Sequence, residues 1–102
     1  MSLIVRMNEF GRSLTTRAMG RDVYRQINRL LSSSDETVAF DFLGVDSITN
    51  SFADEVFGRL AFELGIDELR NRTSFKNISL FWARVVRQAI DARVAEQRLA
   101  VC

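Results

Sequence analysis

The sequence predicts a small α/β sandwich in the order βαβαβα, with a mainly parallel sheet and helices packed on it. Three observations lead there. Short β-branched or aromatic runs alternate with longer stretches of helical period. The segments between successive apolar runs are long enough for right-handed crossovers that keep the strands parallel. Proline is absent and the five glycines are scattered, so nothing reads as a linker and one domain is expected over residues 1–102.

Leu3-Ile4-Val5-Arg6-Met7 is the first expected strand, closed by Asn8, Gly11 and Ser13. From about Thr16 to Ser32, Val23, Tyr24, Ile27, Leu30 and Leu31 recur at spacings of three and four, with Thr15 or Thr16 to cap the helix and Ser32 to Asp35 as its exit. Thr37 to Leu43 is the clearest strand. Val38, Phe40 and Phe42 project to one side and Ala39, Asp41 and Leu43 to the other, so both faces are largely apolar, as suits a central strand. Gly44 to Asn50 forms a loop. Ala53, Val56, Phe57, Leu60 and Leu64 make the stripe of a second helix that ends at Gly65, with Ser51 and Asp54 as a capping-box-like start. Ile66 to Arg72 reads as a helical turn or loop and Phe75 to Leu80 as a third strand. Trp82, Val85, Val86 and Ala89 are the buried stripe of a last helix running to about Arg98.

Composition narrows the chemistry. With 47% apolar, 26% charged and 10% aromatic residues the chain is ordinary for a globular domain. At this length folding buries somewhere above ~60% of the unfolded surface, which leaves little room for a deep cleft and places any site at the surface. A formal charge of +1 gives no global attraction to nucleic acid or membrane. The chain has no histidine and a single cysteine, Cys102, so the usual neutral-pH base and the soft metal ligands are missing, and zinc, haem and histidine triads are not expected. Cys102 reads as an exposed thiol that can form no internal disulfide. Neither a secretory stretch at the start nor a run of 18 apolar residues occurs, and a cytoplasmic location is expected.

The segment from Val38 to Glu55, VAFDFLGVDSITNSFADE, resembles a STAS-like domain family of unknown function, as do Phe10 to Arg17 ahead of the first helix and Phe57-Gly58 in the second. More distantly it is similar to anti-anti-sigma factors, in which a strand bearing an aspartate and a following glycine leads into an Asp-Ser-Ser-Gly loop that opens a helix. Gly44 matches the glycine after the strand, and Thr49-Asn50-Ser51-Phe52 stands in the place of Asp-Ser-Ser-Gly. The resemblance implies a STAS-like fold and a non-enzymatic regulatory module without cofactor or metal. It also implies a protein partner, an ATPase or kinase-like regulator, met by the loop and helix start. The expected contact residues are Ser47, Thr49, Asn50, Ser51, Phe52, Asp54 and Glu55, with Phe62 at the rim. In anti-anti-sigma factors the first serine of the loop is phosphorylated. Here that place holds Asn50, which accepts no phosphate, so Ser51, Thr49 and Ser47 are the candidate acceptors.

Each signal also has a plainer reading. Ser51 lies beside the unpaired N–H groups of a helix start, where it serves a phosphate or simply caps, and Asp54 and Glu55 oppose an added anion. Phe62 falls opposite the buried stripe of its helix, either as an interface anchor or as packing for a second face. Arg17, Arg21, Arg25 and Arg29 form a slowly drifting stripe on the first helix, and an RNA- or DNA-contacting module built on it is the alternative function; the plainer reading is a solvated face. Asp41, Asp46 and Asp54 offer hard oxygen atoms for magnesium, or serve as a turn residue and a helix-start charge. Exposed apolar residues leave a homodimer open.

Overall fold

The computed structural model describes the backbone of residues 2–101 and the side chains of residues 3–99. Cys102 lies outside the described residues. In chain order the elements are β1 (Ser2–Arg6), a 3-10 turn (Met7–Phe10), β2 (Ser13–Leu14), α1 (Arg17–Ser33), β3 (Thr37–Asp41), β4 (Ser47–Ile48), α2 (Asn50–Ala53), a π-helical turn (Asp54–Gly58), α3 (Arg59–Leu64), α4 (Ile66–Arg72), β5 (Thr73–Lys76) and α5 (Leu80–Val101). α2, the π turn and α3 follow one another without a break. β3 is the middle strand of a parallel sheet ordered β1-β3-β5, and β2 and β4 form a second, two-stranded parallel ladder. A mixed α/β fold with a mainly parallel sheet is therefore what the chain adopts.

Register explains which face is buried. Val5, Phe40 and Phe75 are partners across the three strands and point into the helical layer, whereas Ile4, Ala39 and Ser74 project from the reverse face. On that reverse face Ile4, Arg6, Ser74 and Lys76 are exposed. The sheet is therefore covered on one side, a departure from the two-sided apolar strand expected at 37–43. Leu43 lies beyond the end of β3 and is 67% exposed, while Ala39 is small enough to be shielded by its neighbours.

The core is a single cluster to which α1 contributes Val23, Tyr24, Ile27 and Leu31 and the second helical stretch Phe52, Val56, Phe57 and Leu60. Phe40, Phe57 and Phe75 meet in edge and tilted contacts with ring centroids 5.1 to 5.5 Å apart, a geometry that adds to simple area burial. No polar or charged residue is fully buried among those described. At the margin of the core the Tyr24 hydroxyl donates to Glu63 on α3, and the Arg59 guanidinium sits 4.1 Å above its ring. Burial and that hydrogen bond push the Tyr24 pKa up to about 12.

Several boundaries differ from the sequence expectation. β5 occupies 73–76 rather than 75–80, because the chain turns at Asn77, whose φ is +56°, and α5 starts at Leu80. Ile66–Arg72 is a full helix, held by Arg72, whose guanidinium donates to the carbonyls of Leu31, Ser34 and Glu36. The 44–50 loop contains β4. No helix among the described residues is long and apolar enough to cross a membrane.

Candidate functional site

At the carboxyl end of β3 the chain enters a turn in which Val45 N–H bonds the Phe42 carbonyl and Gly44 takes φ +85°, a backbone region open to glycine. It then runs beside the segment that precedes α1. Asp46 N–H donates to the Arg12 carbonyl at 2.7 Å, Thr49 N–H to the Leu14 carbonyl at 3.0 Å, and the Thr49 hydroxyl to the Thr15 carbonyl at 2.6 Å. The same hydroxyl accepts the Phe52 N–H, so Thr49 is the N-cap of α2. Thr16 plays the same part for α1 by accepting from Met19 N–H. The starts of α1 and α2 are thereby fastened side by side.

Two glycines let neighbouring helices approach the second helical stretch. A Cβ on Gly20 would lie 2.9 Å from Glu55 Cβ, and one on Gly58 would lie 2.9 Å from Arg93 Cγ and 3.1 Å from the Ala89 carbonyl of α5. Between these two contacts sits Asp54, at the first residue of the π turn. Arg93 reaches it with two nitrogens, Nε at 2.7 Å and Nη2 at 3.1 Å, and Arg17 adds Nη1 at 2.8 Å while lying 3.5 Å from Glu55. The hydrogen bond from Arg93, and then that from Arg17, hold the Asp54 carboxyl below its ordinary range, and both arginines are raised in turn. π turns recur at functional positions. Here one aims a carboxylate between α1 and α5.

Beside this bridge is a surface depression of about 310 Å3, lined by Arg17, Asn50, Ser51 and Asp54 on one side and by Gln88 and Ala92 of α5 on the other. It offers amide, hydroxyl and guanidinium groups for hydrogen bonding. Its carboxylate is neutralised twice over, which makes it a poor proton acceptor. Among the described residues no three acidic or sulfur side chains are grouped to hold a metal ion. The three aspartates considered for magnesium are kept apart, Asp41 bonded to Asn77 and the Leu43 N–H, Asp46 paired with Arg12, and Asp54 with Arg93 and Arg17.

Residues 19–80 match the model of a family described as a STAS-like domain of unknown function. The chain belongs to that family. No curated protein and no solved structure matches it. In this STAS-like domain both arginines that grip Asp54, and the α5 side of the depression, come from outside the matched residues.

The sequence-derived contact set divides. Asn50 is exposed, and Ser47, Ser51, Asp54 and Glu55 are half-buried. Phe52 is a correction: it is fully buried in the core and presents no surface to a partner, because it shares the inward stripe with Val56 and Leu60. Thr49, not Ser51, is the cap, and its hydroxyl is committed to two hydrogen bonds, so it is ill suited to accept phosphate. Phe62 is half-buried, with its carbonyl accepting from Gln97 of α5, and it does not line the depression. The arginine stripe is also split: Arg17 belongs to the Asp54 bridge and Arg25 pairs with Asp22, while Arg21 and Arg29 are exposed without an ion pair among the described residues. Arg93 is absent from the sequence reading. Its spacing of four from Ala89 marks it as inward-facing, but nothing local points to a carboxylate so distant in the chain.

Proposed function

We propose that this STAS-like domain is a non-enzymatic regulatory module that binds a protein partner over the depression at the start of α2. Arg17, Asn50, Ser51 and Asp54 form one wall and Gln88 and Ala92 of α5 the other. The observation that carries the reading is the Arg17–Asp54–Arg93 bridge: it locks α1, the second helical stretch and α5 around a shallow polar surface that lies at the carboxyl edge of the sheet, where partners of open α/β sheets gather. Ser51 is the preferred phosphoacceptor. A phosphate there would meet the N-terminus of α2 and draw Arg17 from Asp54, while Asp54 and Glu55 repel it, so the surface would change charge and pairing together.

A photo-crosslinking side chain at Asn50, with one at Arg25 as control, identifies the partner. Its affinity is then measured with purified protein. Asn50→Arg and Gln88→Arg, both at exposed positions, are expected to weaken the complex at least tenfold with unchanged far-UV circular dichroism, and Ser51→Asp to differ from Ser51→Ala. Crosslinks confined to Arg25, or affinity indifferent to both wall variants, would overturn the proposal. Equal affinity of the two Ser51 variants would remove the phosphate response alone.

A further inference from the structure

A second surface lies away from that depression, along the free edge of β5. The Lys76 carbonyl accepts from Phe42 N–H, so Ser74 and Lys76 direct their backbone groups at β3. Backbone groups alternate along a strand, and those of Thr73 and Phe75 therefore face outward. The Thr73 N–H is turned back to the Leu69 carbonyl. The N–H and C=O of Phe75 and the C=O of Thr73 form an edge without a hydrogen-bond partner among the described residues.

Most proteins protect such an edge. Here α4 and α5 flank an open trough of about 550 Å3 beside it, with Ile66, Leu69, Phe75, Ile90 and Val94 in its lining. A smaller apolar hollow of about 150 Å3 shares Phe75 and Ile90 with it and continues toward Val86. The trough therefore lies on the helical side of the sheet, where the side chains of one more strand would point. Its rim is basic. Arg70, Arg87 and Arg98 border it against one acid, Asp91, which pairs with Arg87 at 3.7 Å, and neither Arg70 nor Arg98 has an ion pair among the described residues.

We infer that β5 takes a fourth strand from a partner protein, an extended segment whose apolar side chains on one face fill the trough while acidic residues flanking them on that same face meet Arg70 and Arg98. Main-chain hydrogen bonds to Phe75 supply the pairing, the apolar lining selects one face of the incoming strand, and the basic rim selects its charge. This surface is independent of the depression at α2, and Asn50→Arg is expected to leave it unchanged.

The probe is a nine-residue synthetic peptide, Glu-Thr-Val-Thr-Val-Thr-Val-Thr-Glu, whose valines and glutamates share one face, added to the whole chain and followed by amide NMR. Slowing of Phe75 amide exchange by at least tenfold is expected, with shifts at Ile66, Ile90 and Val94. Ala95→Trp, which fills the trough from an exposed position, and Arg70→Glu/Arg98→Glu are each expected to weaken binding at least tenfold, their folds checked by circular dichroism. Unchanged Phe75 exchange at millimolar peptide would overturn the inference. Equal binding of the counterpart with Lys in place of both Glu would overturn its charge selection, and equal binding of a peptide N-methylated at alternate residues would overturn strand pairing. Concentration-dependent protection of Phe75 without peptide, together with a dimer by sedimentation, would assign the edge to a second copy of this chain instead.

Discussion

Gly58→Ala tests whether α5 is seated on the π turn through a glycine notch. In an ordinary exposed helix the change stabilises by up to about 1 kcal/mol through helix propensity. Here the new methyl would lie 2.9 Å from Arg93 Cγ, 3.0 Å from Asp54 Oδ1 and 3.1 Å from the Ala89 carbonyl. The first two can retreat by disturbing the Asp54–Arg93 pair, whereas the third is backbone and moves with α5. Overpacking of this kind costs about 1–3 kcal/mol. With the cost near the middle of that range because the backbone contact cannot relax, and the propensity gain taken in full, a net loss of about 1 kcal/mol follows, lowering Tm by roughly 4–8 °C for a domain of this size. Thermal and urea denaturation followed by circular dichroism measure it. In an Asp54→Ala background, where one clash and the ion pair are already gone, the cost of the alanine should shrink by at least ~0.5 kcal/mol. A Gly58→Ala protein as stable as wild type, or the same cost in both backgrounds, would refute the close seating of α5.

The helix cap is separable by urea titration: Thr49→Ala should cost about 1–2 kcal/mol and Ser51→Ala less than ~0.5, and the reverse order would return the cap to Ser51. Because Asp54 is held below its ordinary pKa, its bridge stabilises the fold above the unfolded carboxylate range and that contribution is lost as pH falls through the native value. Asp54→Asn should therefore cost about 2 kcal/mol at pH 7 and show a smaller further loss between pH 5 and pH 2; parallel pH profiles for the two proteins would contradict this. The sign is opposite for Tyr24, whose neutral form is favoured in the fold. Its contribution is intact below the unfolded value of 10 and is lost as pH rises toward about 12. Wild type should thus lose about 1 kcal/mol by pH 11, and Tyr24→Phe, measured by urea midpoints at pH 9 and pH 11, should lack that decline.

Periodicity carried the sequence reading wherever a segment was long and one-sided. Val23, Ile27 and Leu31 on α1 and Val38 and Phe40 on β3 are buried as their spacing requires. β2 and β4 have two residues each, too few to show a period, and they exist because the loops ahead of α1 and α2 bond to each other. β5 starts earlier than expected because Thr73 and Ser74 are polar: Ser74 faces the open reverse side, and Thr73, at the margin of the helical layer, donates its hydroxyl to the Leu69 carbonyl. At the site, the motif position placed Phe52 on a contact surface and the expected stripe, which began at Ala53, left it out; its spacing of four from Val56 and eight from Leu60 draws it inward. The reach of Arg93 to Asp54 depends on how closely α5 crosses at Gly58, a distance set by tertiary packing.

The ladders also bear on how the chain folds. Ser2 pairs with Thr37, Val38 with Thr73 and Ser13 with Ser47, so each parallel pair closes a long loop containing at least one helix. No strand pair can grow outward from a tight turn, and loop-closure entropy must be met before any pairing is rewarded. During synthesis β3 can find β1 as soon as it emerges, but its other edge stays open until Thr73–Lys76 follow. A nascent chain halted after α3 would hold a two-stranded sheet whose aromatic face, Phe40 and Phe42, lacks Phe75, and that is the stage at which self-association competes most strongly with folding.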